Sequence, residues 1–250
     1  MLPIFEQIGR FTYFALTALP AALLAWRRPA EICRQLYLIW FGAIPLGLIA
    51  GVALGFVTWI HLHGVVDPMV RDKVPEYVAL AVVLEFAPLG AGLILAGRSG
   101  ASLGAELGAM RLSEQIDALE VLGLSPLTHL VGPRVLAAMI ALPLLTILMA
   151  YSAIGSSFLA EMLGGTSYWT QYEDAVLRGL ASIPTAKIVL STLKTIVFGY
   201  LVAVTGCFCG INAAGGTEGV GNAATRGVVA SIFLVLIANV FLVKLIEIGS

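Results

Sequence analysis

Long apolar segments constrain the fold of this chain more than any other feature of its sequence. Five segments of 20 or more residues carry little or no charge: 36–60, 77–96, 135–160, 188–211 and 227–248. An α-helix needs about 20 mostly apolar residues to cross the hydrocarbon core of a bilayer. Only 12% of the residues are charged, and the mean hydropathy is +0.97. The sequence therefore predicts an all-α integral membrane protein with five transmembrane helices in a single domain, 1–250.

The N-terminal segment, 1–34, differs from these five. Its apolar residues alternate with Glu6 and Arg10, and an arginine pair follows at 27–28. This pattern predicts an amphipathic helix that lies in the membrane interface. The alternative is a sixth span over residues 11–26, which is short for a bilayer.

Arginines indicate the orientation of the chain. The N-terminal segment and the connections 97–134 and 212–226 contain eight arginines, whereas the opposite connections balance their basic residues with acidic ones. Short loops rich in Lys and Arg stay in the cytoplasm. We therefore expect a cytoplasmic N-terminus and a C-terminus on the other side. The net charge of −1 gives no reason to expect nucleic-acid binding.

The segment 105–122, between the second and third predicted spans, is unusually polar. It contains no proline and carries two stripes at helical spacing, an apolar one (Leu112, Ile116 and Leu119) and an acidic one (Glu114, Asp117 and Glu120). This spacing predicts one short amphipathic helix at the membrane surface. A solvated helix needs no partner, but a stiff helix tethered between two spans can transmit force from a soluble protein.

Glu85 and Lys194 are the only charged residues in their predicted spans. A charge within the bilayer is costly, so such residues face the protein interior or a wet cavity. Together they could line a pocket for a lipid headgroup, with Lys194 contacting phosphate. Alternatively they form an ion pair that only fixes two helices together. Pro88, three residues after Glu85, predicts a kink.

Weaker candidates for substrate contact lie near the end of the first span. His61 could line the mouth of a cavity, and Val57, Val65 and Met69 could contact acyl chains. His61 and His63 point apart on a helix and have no third ligand nearby in sequence, so no metal site is expected.

No catalytic residue is indicated by any motif in the sequence. There is no nucleophile elbow, and the glycine-rich segment 215–221 lacks the lysine of a P-loop. We expect that segment to be a flexible turn before the last span.

Several long stretches resemble the MlaE-type (YrbE) permeases, the membrane subunits of ABC transporters that work with MCE proteins in lipid trafficking. These stretches are GRSGASLGAELGAMRLSEQIDALEVLGLSP (97–126), PRVLA (133–137), LEFAP (84–88), STLKTIVFG (191–199) and GGTEGVGNAATRGVV (215–229). The resemblance covers most of the chain. It implies an N-terminal interfacial helix, five transmembrane helices, and a coupling helix after the second span.

The resemblance also implies roles for individual residues. It supports a pocket near Glu85 and Lys194, although Leu84 stands where relatives often carry arginine. It implies that the coupling helix docks on the ATPase through Glu106, Met110, Arg111, Glu114, Gln115, Asp117 and Glu120.

The implied assembly contains two copies of this permease, two ABC ATPase subunits and a periplasmic ring of MCE protein in a bacterial inner membrane. It would move phospholipid or a related lipid, with the N-terminus in the cytoplasm and the C-terminus in the periplasm. Because this chain has no Walker motif, ATP and Mg²⁺ are expected on the ATPase partner, and no cofactor is expected here. The alternatives are an ion-coupled carrier for an apolar substrate and an intramembrane enzyme, each using Glu85.

Overall fold

The structure, a computed structural model, describes residues 2–164 and 169–249. The described residues form the α-helices α1 (Leu2–Ala25), α2 (Pro29–Val65), α3 (Val74–Ala81), α4 (Ala87–Leu95), α5 (Ala101–Leu112), α6 (Gln115–Val121), α7 (Gly132–Leu163), α8 (Trp169–Ala181), α9 (Thr185–Ile211) and α10 (Gly216–Gly249). A 3₁₀ turn precedes α3, and π-helical turns follow α3, follow α4 and precede α7 (Pro68–Lys73, Val82–Phe86, Ala96–Gly100 and Leu127–Val131). The prediction of an all-α membrane protein is confirmed.

Six helical stretches in the described part are long and apolar enough to cross a membrane, judged by length and composition. They are Phe5–Ala25, Pro29–Val65, Met69–Leu112, Leu127–Leu163, Thr185–Ile211 and Gly216–Ile248. The last five contain the five predicted spans. The first lies in α1, so the interfacial position of this helix stays a prediction.

The chain divides into two compact units. The first unit comprises Met1–Gly42, Gly92–Leu142 and Ile196–Ala238, and the second comprises Ala43–Ala91, Pro143–Thr195 and Asn239–Ser250. Each unit therefore combines segments that are far apart in sequence. Each has its own buried core and its own polar cavities.

Backbones approach one another closely within the first unit. A side chain at Gly104 of α5 would lie 2.9 Å from the carbonyl oxygen of Ala223 in α10, and one at Gly132 of α7 would lie 2.5 Å from that of Ala21 in α1. Small residues permit such packing where lipid supplies no hydrophobic driving force between helices. The helices of this unit are therefore held at near-contact distance.

In the second unit α8 packs against α3. Tyr172 and Val176 of α8 are buried in a cluster with Ala79 of α3. A side chain at Gly179 would lie 3.0 Å from the carbonyl oxygen of Glu76. Since α8 carries only 13 residues with several charges, it covers this end of the unit without spanning a membrane.

The prediction of one helix over 105–122 is wrong. Helix α5 runs to Leu112, and α6 starts at Gln115 after a corner at Ser113 and Glu114. The Ser113 hydroxyl donates to the Ala109 carbonyl oxygen at 2.8 Å, and such back-bonding competes with continuation of a helix. Glu114 then adopts a left-handed conformation with φ of 58°. We call residues 111–122, which include this turn and the short helix after it, the corner.

Because the helix breaks, the predicted apolar stripe does not form one face. Ile116 is buried, whereas Leu112 is half exposed. The glycine-rich segment 215–221 also differs from prediction, since α10 already begins at Gly216. Only Gly215 and Gly216 have positive φ, and the helix propagates from there through residues that pack on α5.

Candidate functional site

The charged site of the second unit begins with Pro88. A proline has no N–H, so the carbonyl four residues earlier, that of Leu84, loses its intrahelical donor. The chain responds with the π-helical turn Val82–Phe86, in which the N–H of Ala87 reaches back to the Val82 carbonyl oxygen. Turns of this kind are frequent at functional sites. The predicted kink therefore exposes a main-chain acceptor inside the protein.

Two side chains of α9 occupy this acceptor. The ammonium of Lys194 donates to the Leu84 carbonyl oxygen at 3.0 Å, and the hydroxyl of Ser191 donates to the same oxygen. A carbonyl oxygen has two lone pairs, so both bonds can form together. The proline in one segment thus determines where a lysine from another segment is held.

Lys194 also pairs with Glu85, a contact that the ion-pair alternative requires and the headgroup alternative allows. Its nitrogen lies 3.0 Å from Oε1 of Glu85, and its side chain is only 1% exposed. The Glu85 side chain is 38% exposed, and its Oε2 accepts a longer hydrogen bond of 3.4 Å from Asn239 of α10. The cation is therefore buried, while the anion reaches open space.

That space is a cavity of about 180 Å³. Its lining comes from the π-helical turn, α9 and α10: Leu84, Glu85, Lys187, Ser191, Lys194, Val243, Ile246 and Glu247. Among the described residues, the side-chain oxygen of Asn239 has no hydrogen-bond partner. A buried polar atom of this kind indicates a place for water or a ligand. We call this cavity the Lys194 site.

The other predicted substrate contacts do not join this site. His61 is exposed and its Nδ1 contacts the carbonyl oxygen of Val57 in its own helix at 2.8 Å. Val57, Val65 and Met69 are exposed, and none of them lines the cavity. Sequence reasoning missed Ser191 and Asn239, although a serine three residues before a membrane lysine lies on nearly the same helix face.

A second polar cavity, of about 390 Å³, lies in the second unit near the end of α2. It is bordered by His63, Arg71, Glu161 and Tyr172, among others. Burial raises the pKa of Tyr172 to about 12. This side chain therefore stays protonated, and its hydroxyl donates to the carbonyl oxygen of Ile154 at 3.0 Å.

The predicted docking residues are spread over two places in the first unit. Glu114, Gln115 and Glu120 are exposed at the corner, where Arg111 forms an ion pair with Asp117. The corner also exposes three apolar side chains, Leu112, Val121 and Leu122. Together with residues 213–216 it borders a groove of about 250 Å³.

Glu106 and Met110 lie before the corner, on α5. The carboxylate of Glu106 accepts a hydrogen bond of 2.6 Å from Arg134 of α7, whose side chain is 5% exposed. Arg134 donates a further bond of 2.7 Å to the carbonyl oxygen of Leu130. This ion pair ties α5 to α7 and gives Glu106 a structural partner that the sequence did not reveal.

Residues 32–245 match the sequence profile of the permease MlaE family. The chain is 31% identical to a probable ABC transporter permease protein of Rickettsia prowazekii over 241 residues, which cover 96% of this chain and 92% of that protein. It is 26% identical over 241 residues to the intermembrane phospholipid transport system permease protein MlaE of Haemophilus influenzae, covering 94% and 90% of the two chains. It is 38% identical over 162 residues to the chloroplastic protein TRIGALACTOSYLDIACYLGLYCEROL 1 of Arabidopsis thaliana, covering 64% and 45%.

Proposed function

Since this chain belongs to the MlaE permease family, we propose that it is the membrane subunit of an ABC transporter that moves phospholipid or a related lipid. The lipid would pass between a bacterial inner membrane and a periplasmic MCE-domain partner. Support comes from the name of the Haemophilus relative, which refers to intermembrane phospholipid transport. The N-terminus would lie in the cytoplasm and the C-terminus in the periplasm.

The Lys194 site would bind the lipid headgroup. The observation that carries this proposal is that Glu85, Ser191 and Lys194 line one cavity, into which the half-exposed carboxylate of Glu85 reaches while Lys194 stays 1% exposed. Here a headgroup phosphate can approach Lys194 and Ser191 while Glu85 and Asn239 turn toward an amine or hydroxyl.

The corner would dock on the ATPase. It combines exposed carboxylates with the exposed apolar side chains of Leu112, Val121 and Leu122. Apolar residues rimmed by charges are typical of protein interaction sites. ATP and Mg²⁺ would bind to that partner, so this chain would carry no cofactor and catalyse no reaction. Two ATPases that bind nucleotide between them need two docking surfaces. One corner from each of two permease copies would supply them, which supports a homodimer.

The headgroup proposal is tested by mass spectrometry of the lipids that co-purify with the protein. A Glu85→Ala, Lys194→Ala variant is expected to lose most of the bound phospholipid, because both charges that face the cavity are gone. The matched control is Glu31→Ala, Arg34→Ala, which removes an exposed ion pair of 3.8 Å on α2. Equal phospholipid retention by the two double variants would contradict the proposal.

The docking proposal is tested by capture of an ABC ATPase from the host membrane. Glu114→Lys with Asp117→Lys reverses two charges at the corner and is expected to abolish capture. Glu173→Lys with Asp174→Lys reverses two neighbouring exposed carboxylates on α8 and should leave capture unchanged. If capture survives the first pair of changes, the corner is not the docking surface.

A further inference from the structure

A small polar cavity in the first unit is not used by the proposed transport mechanism. Its volume is about 120 Å³, and it lies between α2 and the segment that runs from the π-helical turn into α5. Polar residues in its lining are Gln35, Arg98, Ser99, Ser102 and Glu106. Four of them stand in the polar stretch that follows the second predicted span.

Arg98 is held at this cavity by the backbone of α2. Its Nη1 donates to the carbonyl oxygens of Leu38, at 3.2 Å, and Ile39, at 3.3 Å. The space for the guanidinium exists because residue 42 is glycine: a Cβ there would lie 1.6 Å from Nη2 of Arg98. A guanidinium has five N–H donors, so donors beyond those on Nη1 are available to a ligand.

Ser99 provides a second, independent sign of a ligand. It is 2% exposed, and among the described residues its hydroxyl has no hydrogen-bond partner. A buried hydroxyl left without a partner is costly, so proteins rarely keep one without a reason. Gln35, on the facing side of the cavity, is also buried.

The charges around the cavity leave one cation in excess. The carboxylate of Glu106 is already bound at 2.6 Å by the guanidinium of Arg134. Arg98 forms no ion pair with any carboxylate in the described part of the chain. An anion is therefore the ligand that this arrangement favours.

The surroundings place that anion at a membrane surface. Tyr37 and Phe41 of α2 are exposed beside the cavity-lining residues Leu38 and Ile39, and their rings lie 4.7 Å apart. The first predicted span begins at residue 36. Aromatic side chains at the end of a span lie at the level of the lipid headgroups. Half-exposed Leu38 offers an apolar surface to an acyl chain at the same level.

We propose that this cavity binds the phosphate of a phospholipid headgroup from the surrounding leaflet, with Arg98 and Ser99 donating to the phosphate oxygens. Arginine suits this role because its planar fork matches the geometry of phosphate. Because Gly42 has no side chain, the guanidinium of Arg98 has space beside α2. The site is separate from the Lys194 site, and it stands whether or not that site carries a transported lipid.

The test is a titration of the purified chain in detergent with dioctanoyl phosphatidylglycerol, followed by native mass spectrometry. Arg98→Gln is expected to weaken one binding event about tenfold, as loss of a charge-assisted hydrogen bond does. Gly42→Ala keeps every charge but displaces the guanidinium, and it should weaken the same event. Ser99→Ala should weaken it less. The matched control is Arg34→Gln, which removes an exposed cation from α2, the helix that borders the cavity.

Two further ligands separate the sources of the phosphate. Dioctanoylglycerol, which lacks phosphate, should bind no differently to Arg98→Gln and to the unaltered chain. Inorganic phosphate at the same concentration should not displace the phospholipid. If it does, the site recognises free phosphate and the lipid proposal is overturned.

Other outcomes also overturn the proposal. One is unchanged binding in both Arg98→Gln and Gly42→Ala, and another is an equal loss in Arg34→Gln, which would indicate general surface charge. If Arg98→Gln fails to fold, Gly42→Ala and Ser99→Ala decide the matter alone. The same titration on Lys194→Ala keeps this result distinct from the proposed function, because the Arg98-dependent event should persist there.

Discussion

In the described part of the chain, each unit contains an ion pair in which the cation is buried and the carboxylate is half exposed. In the first unit, Arg134 is 5% exposed and Glu106 is 42% exposed, with 2.6 Å between nitrogen and oxygen. In the second unit, Lys194 is 1% exposed and Glu85 is 38% exposed, at 3.0 Å. The two pairs therefore have nearly the same geometry. What differs is the chemistry of the cation and the origin of its second acceptor.

Arg134 takes its second acceptor, the Leu130 carbonyl oxygen, from its own part of the chain. Arginine remains charged in proteins, and its two bonds come from a rigid fork. Lys194 takes its second acceptor from a different segment, where Pro88 has left the Leu84 carbonyl oxygen without a helical donor. A lysine ammonium is a mobile point charge that can exchange partners.

This difference shows that similar ion pairs can serve opposite purposes. The arginine pair fastens α5 to α7 through a cation that cannot lose its charge. The lysine pair shares a cavity with Ser191, and Glu85 also accepts a bond from Asn239, whose own side-chain oxygen has no partner among the described residues. The second pair is therefore suited to opening toward a ligand, and the first is suited to staying closed.

The largest expected loss of stability comes from removing the carboxylate of the Arg134–Glu106 pair. Glu106→Ala leaves the buried guanidinium of Arg134 without its carboxylate, and this charge cannot be neutralised by loss of a proton. We expect the free energy of unfolding to fall by about 3 kcal/mol. The measurement is the unfolding midpoint in detergent, with Glu120→Ala, an exposed carboxylate on α6, as control. A change no larger than that of the control would show that the pair does not fasten the helices.

Removing the carboxylate of the Lys194–Glu85 pair should lower the free energy of unfolding by less. After Glu85→Ala the ammonium of Lys194 keeps the Leu84 carbonyl oxygen and borders a cavity that can hold water. We expect a loss of about 1 kcal/mol, the scale of one hydrogen bond to a partly exposed group. Glu173→Ala on α8 is the control in the same unit. If Glu85→Ala destabilises the protein as much as Glu106→Ala does, the two pairs do not differ in the way argued above.

The sequence indicated that Glu85 and Lys194 lie close together and missed the contact of Glu106 with Arg134, and the reason is physical. Glu85 and Lys194 stand out because each is alone in an apolar span, where a charge demands a partner. Glu106 and Arg134 stand in polar flanking segments, where charges are ordinary and need no pairing. Which of many exposed charges become buried is decided by packing, and packing cannot be read from periodicity.

The fold also has features that the sequence predicts and features that depend on packing. The five predicted spans follow from their lengths and composition alone, and helical stretches in the structure contain all five. The helix break at Ser113 and Glu114 was not predicted, because both residues are compatible with a helix and the stripes on either side stay in register. The left-handed conformation of Glu114 accompanies the burial of Ile116 and an ion pair between Arg111 and Asp117 across the turn, and periodicity indicates neither.

The smallest effect on stability is expected from the residue that creates the acceptor of Lys194. Pro88→Ala restores an N–H that can donate to the Leu84 carbonyl oxygen, so this oxygen would have three donors for two lone pairs. Because a helical bond is gained as the bond to Lys194 or Ser191 weakens, the free energy of unfolding should change by less than about 1 kcal/mol. Phospholipid retention should nevertheless fall, since the ammonium is no longer held at the cavity. Pro143→Ala, which removes the proline inside α7 and leaves Pro88 in place, serves as the control. Loss of stability with full lipid retention would mean that Pro88 shapes the helix but does not position Lys194.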